Sequence, residues 1–523
     1  MSRRVDLRQS WNQISKAYQA HNRIPTDFVH YGPHCPNEDQ LQLVGDVKGK
    51  HVLEIGCGGG QNAIAFAKRG AIATGVDLSD QQIAFARKSA KAEGVEVRFL
   101  RRSMEDLSPI PDHSQDVVFS AFALGYLETW DRCFSEVRRV LKPDALFVFS
   151  VGHPFFYSLA EDSLRIVRSY HDASPETWDW EYPEAGISVP FEGYLCKLSA
   201  MYLSFCAAGF EVLDILEPEP IECGSGADSF GGHYSPDRQR MVPATIIWKA
   251  TVAHAASVRQ AAQACPGRAA SVRPSTPSSL RRKWNQISPY YQSEHRIPSD
   301  FVHYGPHCPN EDQLQLLGDV HDKRLLEIGC GGGQCSIAFA KRGAIATGVD
   351  ISDKQIAFAR RLAEQEQVSA NFLQGDVVDL SAIPDSSHDL VFSAYALQFV
   401  EHMDRCFAEV ARVLRPGGQF VFSLDHPFWY CLAENQLLVE SSYFDTAYWY
   451  EWEQAGMKSR PRMTEYHRTL GEWYRLLRGT GFDVLDILEP EPVEEGSGQD
   501  WGEYYSPERQ KMVPATIIWR ARK

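Results

Sequence analysis

The sequence predicts an α/β protein made of two tandem copies of one domain, each built on a mostly parallel sheet with an antiparallel last strand. Three observations predict this fold class. Long segments of the chain occur twice at a constant spacing. Within each copy, short buried strand patterns alternate with amphipathic helix patterns, which is typical of a parallel sheet covered on both faces. The last two strands of each copy are joined by a loop rich in glycine and acidic residues, where no helix is expected.

Composition excludes several classes of protein. The chain has 523 residues, 44% of them hydrophobic, so it can form large cores. Its net charge of −15 argues against a nucleic-acid-binding protein, which needs a basic face. No segment is apolar enough to cross a bilayer, the start MSRRVDLRQS is no secretory signal, and the 12 cysteines lack zinc-site spacing. We expect a reduced, cytoplasmic enzyme with no metal, nucleic-acid or membrane partner.

The repeat covers nearly the whole chain. The run DFVHYGPHCPNEDQLQL begins at Asp27 and again at Asp300, an offset of 273 residues that falls to 272 and then 271 near the end. A solenoid repeat is far shorter, roughly 20–50 residues. We therefore expect domains at 1–250 and 280–523, joined by a flexible linker at 251–279 that is rich in Ala, Ser, Arg and Pro. Such a duplication would allow the halves to pack as an intramolecular pseudo-dimer.

The elements of the second half follow in order along the chain. RLLEIGC reads as a strand, CSIAFAKRG as a helix, AIATGVDI as a strand and KQIAFARRLAEQE as a helix. ANFLQGD and LVFSAYAL follow as strands, then MDRCFAEVARVL as a helix and GQFVFSLDH as a strand. After an aromatic-rich segment, a helix through Trp473 to Arg478 precedes the strands GFDVLDIL and MVPATIIWRA.

The turn after the first strand carries the chemistry. In the second half it places Gly329, Gly331 and Gly333 behind Glu327, and glycines let the backbone approach a ligand closely. Asp350 ends the next strand, 21 residues after Gly329, where a carboxylate can accept hydrogen bonds from ribose hydroxyls. The first half repeats this spacing with Glu54, Gly56, Gly58, Gly60 and Asp77. We expect a nucleoside cofactor in each half.

Two features argue against a nicotinamide dinucleotide. The last glycine of the dinucleotide motif is replaced by Gln61 and Gln334. The acids Glu54 and Glu327, at the end of the first strand of each half, would suit an ammonium group better than a pyrophosphate.

The motifs E-x-G-x-G-x-G, GVDIS, LQGDVVDL, HDLVFSAYAL and RVLRPGGQFVFS together resemble the class I S-adenosylmethionine-dependent methyltransferases of the small-molecule type. The resemblance covers both halves outside the linker. It implies two tandem Rossmann-like domains, each with a seven-stranded sheet, and in-line transfer of a methyl group to O, N or S.

The resemblance also implies roles for particular residues. The three glycines of the turn would hold the methionine part, Glu327 its amino group and Asp350 the ribose. Adenine would pack on Ile351. The remaining implied cofactor residues are Asp376 and Val377 at the adenine edge, Tyr304 over the methionine carboxylate, and, in the first half, Tyr31 and Leu78 beside the residues given above.

Two histidines of the second half are candidate catalytic bases. His426 follows the strand after the RPGG turn, and His467 opens the helix after the aromatic segment. The alternative is that each is only hydrogen-bonded within the fold. The aromatic segment 441–452 predicts either a lid over a flat or cationic substrate or a set of rings that closes the core.

Other functions stay open at this point. The chain could be a non-catalytic or regulatory cofactor-binding scaffold. It could also be a dehydrogenase of the Rossmann type, against which the two glutamines count. Aminopropyl transfer is a third alternative, although no acidic motif for a diamine is present.

The two copies differ where the second half has polar candidates. Asp376 corresponds to Ser103, and the pair His467-Arg468 corresponds to Leu195-Cys196. From this comparison we expect half two to be the stronger catalyst. Half one would then be either a decayed copy or a second active site for another methylation.

Overall fold

The computed structural model describes residues 5–222, 232–253, 277–453, 457, 460–493 and 501–523. The chain forms two compact units. Unit 1 comprises Met1–Arg168 and Asp172–Val258, and unit 2 comprises Ser169–His171 and Arg259–Lys523. Each unit is described by itself below.

Unit 1 contains nine strands and eight α-helices among its described residues. The strands are β1 His51–Ile55, β2 Ile72–Asp77, β3 Arg98–Arg101, β4 Gln115–Ala121, β5 Leu141–Gly152, β6 Glu176–Tyr182, β7 Ile187–Gly193, β8 Phe210–Leu216 and β9 Thr245–Val252. The helices are α1 Leu7–His21, α2 Glu38–Leu41, α3 Gln61–Lys68, α4 Asp80–Ala92, α5 Asp131–Val140, α6 Pro154–Tyr157, α7 Leu198–Ala207 and α8 Pro236–Met241.

Unit 2 repeats this order. Its strands are β10 Arg324–Ile328, β11 Ile345–Asp350, β12 Asn371–Gln374, β13 His388–Ala394, β14 Leu414–Asp425, β15 Tyr448–Glu451, β16 Arg462–Glu465, β17 Asp483–Leu488 and β18 Thr516–Arg522. Its helices are α9 Pro277–Glu294, α10 Glu311–Leu314, α11 Gln334–Lys341, α12 Asp353–Gln365, α13 Met403–Val413, α14 Leu470–Gly479 and α15 Pro507–Met512.

Each unit is built on a seven-stranded sheet, which confirms the predicted fold class. The strand orders are β3-β2-β1-β4-β5-β9-β8 and β12-β11-β10-β13-β14-β18-β17. All pairs are parallel except those made by the last strand, β9 or β18, which runs antiparallel to both neighbours. The order reverses between the first strand of each unit and its neighbour, β4 or β13. Ligands of open α/β sheets bind at such a reversal, beyond the carboxyl ends of the strands.

The core of each unit lies between the sheet and its helices. In unit 2 it contains Leu325, Phe339, Phe392, Val421 and Ile518, all fully buried. These residues come from strands β10, β13, β14 and β18 and from helix α11. The near-continuous apolar pattern of the inner strands thus reflects burial on both faces.

Two local expectations can be compared with the structure. The loop between the last two strands contains a short helix, α15, whose first residue is a proline, so the expectation of no helix there is wrong. A segment of six residues with one proline gives almost no periodic signal. The linker expected at 251–279 falls mostly on 254–276, outside the described residues; residues 251 and 252 end β9, and residues 277–279 begin α9.

The aromatic segment forms part of a small hairpin, β15–β16. Tyr450 and Trp452 pack with Trp284 of α9, whereas Tyr448 and Trp449 are nearly half exposed. Tyr443 is fully buried. The segment therefore contributes rings both to a core and to the surface. None of the described helices has the length and apolar character needed to cross a membrane.

Candidate cofactor site

The candidate site lies at the carboxyl ends of the first three strands of each unit. In unit 2, Glu327 is on β10, Asp350 ends β11, and Asp376 follows β12. All three line one cavity of about 330 Å³. The predicted residues Gly329, Gly331, Ile351 and Val377 line the same cavity, so the structure brings them together.

The carboxylate of Asp350 is held by two backbone donors. The N–H of Gly331 donates to Oδ2 at 2.9 Å, and the N–H of Ser352 donates to Oδ1 at 2.8 Å. Burial raises the pKa of Asp350 to about 6, and the two hydrogen bonds oppose that shift. The first half has the same geometry, because Gly58 and Ser79 each donate to Asp77 at 2.8 Å.

Two of the glycines of the turn serve different purposes. A Cβ on Gly329 would lie 2.3 Å from the Cβ of Ala396, so the turn has no room for a side chain there. A Cβ on Gly331 would meet nothing within 4 Å, and the backbone has φ +50°. The turn thus presents bare backbone to the cavity at Gly331, as close approach of a ligand requires.

Glu327 is a buried acid in the same wall. Its carboxylate accepts a hydrogen bond from the hydroxyl of Ser336 at 2.5 Å. Burial raises its pKa to about 8, and the neighbouring charge of Asp350 adds to the shift. The groups that shift this pKa include no cation. Glu54 has the same character, with a pKa also raised by burial to about 8.

The residues predicted for the first half are also assembled. Glu54, Gly56, Gly58, Asp77 and Leu78 line a cavity of about 1040 Å³. Gly60 and Gly333 instead lie outside the cavity walls and form the N-caps of α3 and α11.

The first helix of each unit was missed by the sequence reasoning. Trp284, Tyr291 and Gln292 of α9 line the cavity. The amide of Gln292 accepts a hydrogen bond from Gln334 at 2.7 Å and donates one to Gln355 at 2.9 Å. The glutamine that replaces the last glycine of the dinucleotide motif therefore ties α9 to the turn. The available signal was the run WNQIS, which begins at Trp11 and again at Trp284.

Tyr395 was also missed. It follows β13, lines the cavity, and has φ +51°, a backbone conformation that is uncommon for residues other than glycine. Its hydroxyl lies 2.6 Å from the hydroxyl of Thr516 on the last strand. Such strain is concentrated at functional sites because the surrounding structure must hold it.

The structure does not bring Tyr31 or Tyr304 to a cavity. Both rings are fully buried in the core, and their hydroxyls donate to Glu38 and Glu311 respectively at 2.5 Å. Neither ring is among the residues that line the two cavities, and their place over the cofactor stays a prediction. The neighbouring residues His303 and Gly305 line the cavity instead.

The two histidines also lie away from the cavity wall. His426 is fully buried, and its Nε2 lies 3.1 Å from Glu489, while its Nδ1 accepts the N–H of Phe428. The Nδ1 and Nε2 atoms of His467 lie 2.7 and 2.8 Å from the carbonyl oxygens of Asp445 and Pro427. Neither ring directs an unengaged nitrogen toward the cofactor cavity. Both rings are engaged by hydrogen-bond partners within the fold, and their role as catalytic bases stays a prediction.

No group of three or more His, Cys, Asp or Glu side chains that could hold a metal ion occurs in the described part of the chain.

Comparisons with known proteins agree with this site. A family described as "Methyltransferase domain" matches residues 53–149 and 326–422, once in each half. A Ubiquinone biosynthesis O-methyltransferase from Coxiella burnetii is 37% identical over 113 residues, which are 22% of this chain and 46% of that protein. A Fatty-acid O-methyltransferase from Mycolicibacterium smegmatis is 32% identical over 196 residues, 37% of this chain and 62% of that protein.

Two further matches complete the comparison. An S-adenosyl-L-methionine-dependent Diels-Alderase from Talaromyces variabilis is 38% identical over 158 residues, 26% of this chain and 54% of that protein. Among solved structures, an S-adenosylmethionine-dependent methyltransferase from Mesorhizobium loti is 26% identical with a TM-score of 0.31, covering 40% of this chain and 96% of that one. The chain spans about half the length of the curated relatives it matches.

The family match falls on the strands and turns that hold Glu54, Asp77, Glu327 and Asp350, and each of its two occurrences covers the first five strands of one seven-stranded sheet. The cofactor of this family is S-adenosylmethionine. Each half of the chain thus contains one region that matches the methyltransferase-domain family, which supports a duplicated domain.

Proposed function

We propose that each half binds one S-adenosylmethionine and that the chain transfers its methyl group to an oxygen atom of a small molecule. The observation that carries the proposal is the pair of acids, Glu327 and Asp350, on the wall of one cavity beside the bare backbone of Gly331. The same arrangement occurs a second time around Glu54 and Asp77.

The acids fit the groups of this cofactor. A buried carboxylate whose surroundings supply no cation is stabilised by an ammonium group, so Glu327 would hold the amino group of the methionine part. The carboxylate of Asp350, fixed by Gly331 and Ser352, would accept hydrogen bonds from the ribose hydroxyls.

The nucleobase would lie between apolar and acidic groups. Ile351 and Val377 provide apolar surface on the same wall, and the Asp376 carboxylate would accept a hydrogen bond from the exocyclic amine of adenine. In the first half Leu78 and Met104 occupy the corresponding places, and Ser103 replaces the acid.

When bound, the cofactor supplies an electrophilic methyl group on a sulfonium. The residues of the chain would orient it and exclude water rather than take part in covalent chemistry. Gln292, clamped by Gln334 and Gln355, holds α9 across the glycine turn and so closes the cavity from one side. Oxygen is the proposed acceptor because two of the relatives are named as O-methyltransferases.

Calorimetric titration with S-adenosylhomocysteine tests the cofactor half of the proposal. We expect two molecules of S-adenosylhomocysteine to bind per chain of the parent. We expect one to bind per chain of either variant, Asp77→Ala or Asp350→Ala. Asp80→Ala, at an exposed acid three residues beyond Asp77, is the matched control and should leave both binding events intact. Absence of any binding would overturn the proposal.

Turnover is tested with methyl-labelled cofactor and a panel of phenols, carboxylic acids and amines. Formation of S-adenosylhomocysteine together with a labelled methyl ether or ester is the expected result. A labelled N-methyl product would contradict oxygen as the acceptor. Binding of the cofactor without transfer to any member of the panel would instead favour a regulatory scaffold or a cycloaddition of the kind named for the Diels-Alderase relative.

A further inference from the structure

The cavities around the two cofactor sites differ in size. The cavity of unit 2 measures about 330 Å³ and that of unit 1 about 1040 Å³, roughly three times as much. Sites for small molecules usually measure about 300–1,000 Å³. The cavity of unit 2 therefore suits one small ligand, whereas that of unit 1 has room for a cofactor and a second molecule.

Three glycines line the larger cavity where unit 2 has buried polar side chains. Gly125, Gly152 and Gly193 lie on the wall of the unit 1 cavity. Their counterparts by repeat offset are Gln398, Asp425 and Glu465, which are 3%, 4% and 7% exposed. The backbone contacts are equivalent, because the N–H of Tyr194 donates to the carbonyl of Gly125 and that of Tyr466 to the carbonyl of Gln398.

The three positions do not contribute equally. A Cβ on Gly125 would meet nothing within 4 Å, so this glycine leaves open space. At Gly193 the ring of Trp178, itself part of the cavity wall, lies 3.1 Å from such a Cβ. At Gly152 the ring of Tyr157 already fills the place that a side chain would take.

In unit 2 the corresponding region is filled by a network of acids and tyrosines. Tyr505 donates to Asp425 at 2.7 Å, and Tyr450 donates to Glu465 at 3.1 Å. Neither acid lines the cofactor cavity of unit 2. The side chains of unit 2 thus occupy the volume that is open in unit 1.

Aromatic rings and acids dominate the wall of the larger cavity beyond the cofactor turn. The aromatic rings on this wall include Tyr126, Tyr157, Trp178, Trp180, Tyr194 and Tyr234. Glu161, Glu176 and Glu181 lie on the same wall, where Arg102 is the only lysine or arginine among the described lining residues. Stacking surfaces with acids around them favour a ring-bearing molecule that is neutral or cationic, and they disfavour an anion.

One histidine on this wall, His233, has a ring nitrogen that is unsatisfied among the described residues. The Nδ1 atom of His233 is buried and has no hydrogen-bond partner among the described residues. Burial lowers the pKa of His233, and the nearby charge of Arg238 adds to that effect, so the imidazole is neutral near pH 7. A hydroxyl or an amine in the cavity could donate to it. In unit 2 the corresponding residue is Tyr504.

We propose that the cavity of unit 1 is the acceptor-binding chamber of the chain. It takes a ring-bearing molecule that is neutral or cationic and carries a hydroxyl or amine group. Unit 2 binds the cofactor without a chamber of this kind. The inference rests on the proposed function, since the chamber is continuous with the cofactor turn of unit 1. It reverses the expectation that half two is the stronger catalyst.

The test uses the full-length protein saturated with S-adenosylhomocysteine and three fluorescent probes. These are neutral N-phenyl-1-naphthylamine, cationic thioflavin T and anionic 8-anilinonaphthalene-1-sulfonate. We expect the neutral or the cationic probe to bind at one site per chain, and the anionic probe at least tenfold more weakly. Gly125→Gln, which installs the residue of unit 2 in open space, should weaken probe binding at least tenfold. Gln398→Asn, at the corresponding position of unit 2, should not change it.

Binding of S-adenosylhomocysteine separates the possible failures. If Gly125→Gln retains both cofactor sites and leaves probe binding unchanged, the proposal of an acceptor-binding chamber in unit 1 is wrong, whereas the proposed function stands. The chamber proposal would also be wrong if Gln398→Asn lost as much probe affinity as Gly125→Gln, or if the anionic probe bound tightly. If no variant or parent binds S-adenosylhomocysteine, the proposed function itself fails. Should Gly125→Gln not fold, Leu195→Trp narrows the same wall and gives the same readout.

Discussion

The backbone N–H of Gly331 donates to the carboxylate of Asp350 at 2.9 Å, so the glycine turn after β10 and the end of β11 fix each other. The distance between the corresponding atoms of Gly58 and Asp77 is 2.8 Å. The acid that would hold the ribose therefore also sets the shape of the turn that would hold the methionine part. Changes at either residue should affect cofactor binding as a unit.

The two glycines of the turn should separate binding from stability. Gly331→Ala adds a methyl group to open cavity, so we expect cofactor affinity to fall at least tenfold, with a stability cost of about 1–2 kcal/mol for the left-handed backbone. Gly329→Ala places a Cβ against that of Ala396 and should destabilise unit 2 by roughly 2–4 kcal/mol. Calorimetry with S-adenosylhomocysteine and thermal unfolding measure the two effects. In unit 1, Gly58→Ala and Gly56→Ala should have the same two effects. If both alanine changes of a unit lowered its stability equally, the separate roles assigned to the two glycines would be wrong.

Cofactor binding should weaken below about pH 6. The pKa of Asp350 is raised to about 6 by burial, and hydrogen bonds from ribose hydroxyls stabilise the carboxylate over the acid. The contribution of the Asp350 carboxylate to affinity is therefore full above this pKa, and below it the affinity falls by up to tenfold for each pH unit. The affinity for S-adenosylhomocysteine is measured by titration between pH 5 and pH 8. The titrations use Asp77→Ala, in which only the cofactor site of unit 2 is expected to remain. Asp350→Asn in that background should bind weakly at every pH, and a flat profile with Asp350 present would contradict the prediction.

Local patterns predicted the cofactor site well because its residues lie close together in the sequence. Glu327 and Gly331 share one strand and its turn, and Asp350 ends the next strand, so the order of strands was enough to bring them together. The contact of His426 with Glu489 could not be predicted, because the two residues are 63 positions apart in the chain. Nothing near a strand end in the sequence shows which side of the sheet edge a histidine will face.

The difference between the chambers could not be predicted for a similar reason. Gly125, Gly152 and Gly193 are spread over 69 residues and become one wall only after β4, β5 and β7 are assembled. Compared along the chain alone, half one has lost polar residues and therefore looks decayed. In the folded unit, Gly125 leaves open space on the wall of the cavity that contains the cofactor turn.

The Glu465 side chain should make unit 2 less stable as the pH rises. Burial raises its pKa from 4.5 to about 7, so folding favours the protonated form. This stabilisation is fully present below about pH 4.5 and is lost as the pH rises through about 7. Glu465→Gln keeps a neutral group beside Tyr450 at every pH. As the pH rises from about 4.5 to about 7, the unfolding free energy of this variant should therefore increase relative to that of the parent, by up to about 3 kcal/mol. Chemical unfolding at several pH values measures the difference, and the exposed Glu364→Gln should show none. A constant difference between Glu465→Gln and the parent would contradict the prediction.

His426→Ala should cost stability rather than catalysis. The change leaves the carboxylate of Glu489, which is 6% exposed, without its imidazole neighbour. We expect a loss of roughly 2–4 kcal/mol in the unfolding free energy of unit 2. His153→Ala, whose Nε2 lies 3.1 Å from Glu217, is the matched change in unit 1. Cofactor affinity at low temperature should change by less than about twofold in either variant. A large fall in turnover of His426→Ala with unchanged unfolding would restore it as a catalytic candidate.

The last prediction concerns which half transfers the methyl group. Asp77 and Asp350 have the same donors and a pKa of about 6 in both units, so Asp77→Ala and Asp350→Ala should each remove one cofactor site to a similar extent. Their effects on turnover should differ, because the proposed acceptor chamber lies next to the cofactor turn of unit 1. We expect Asp77→Ala to reduce methyl transfer to the acceptor found by the panel at least hundredfold, and Asp350→Ala to reduce it less than threefold. A hundredfold loss in Asp350→Ala alone would place catalysis in unit 2, as the sequence comparison predicts. Equal partial losses would mean that both halves transfer methyl groups, and accumulation of a partly methylated product in one variant would identify two successive steps.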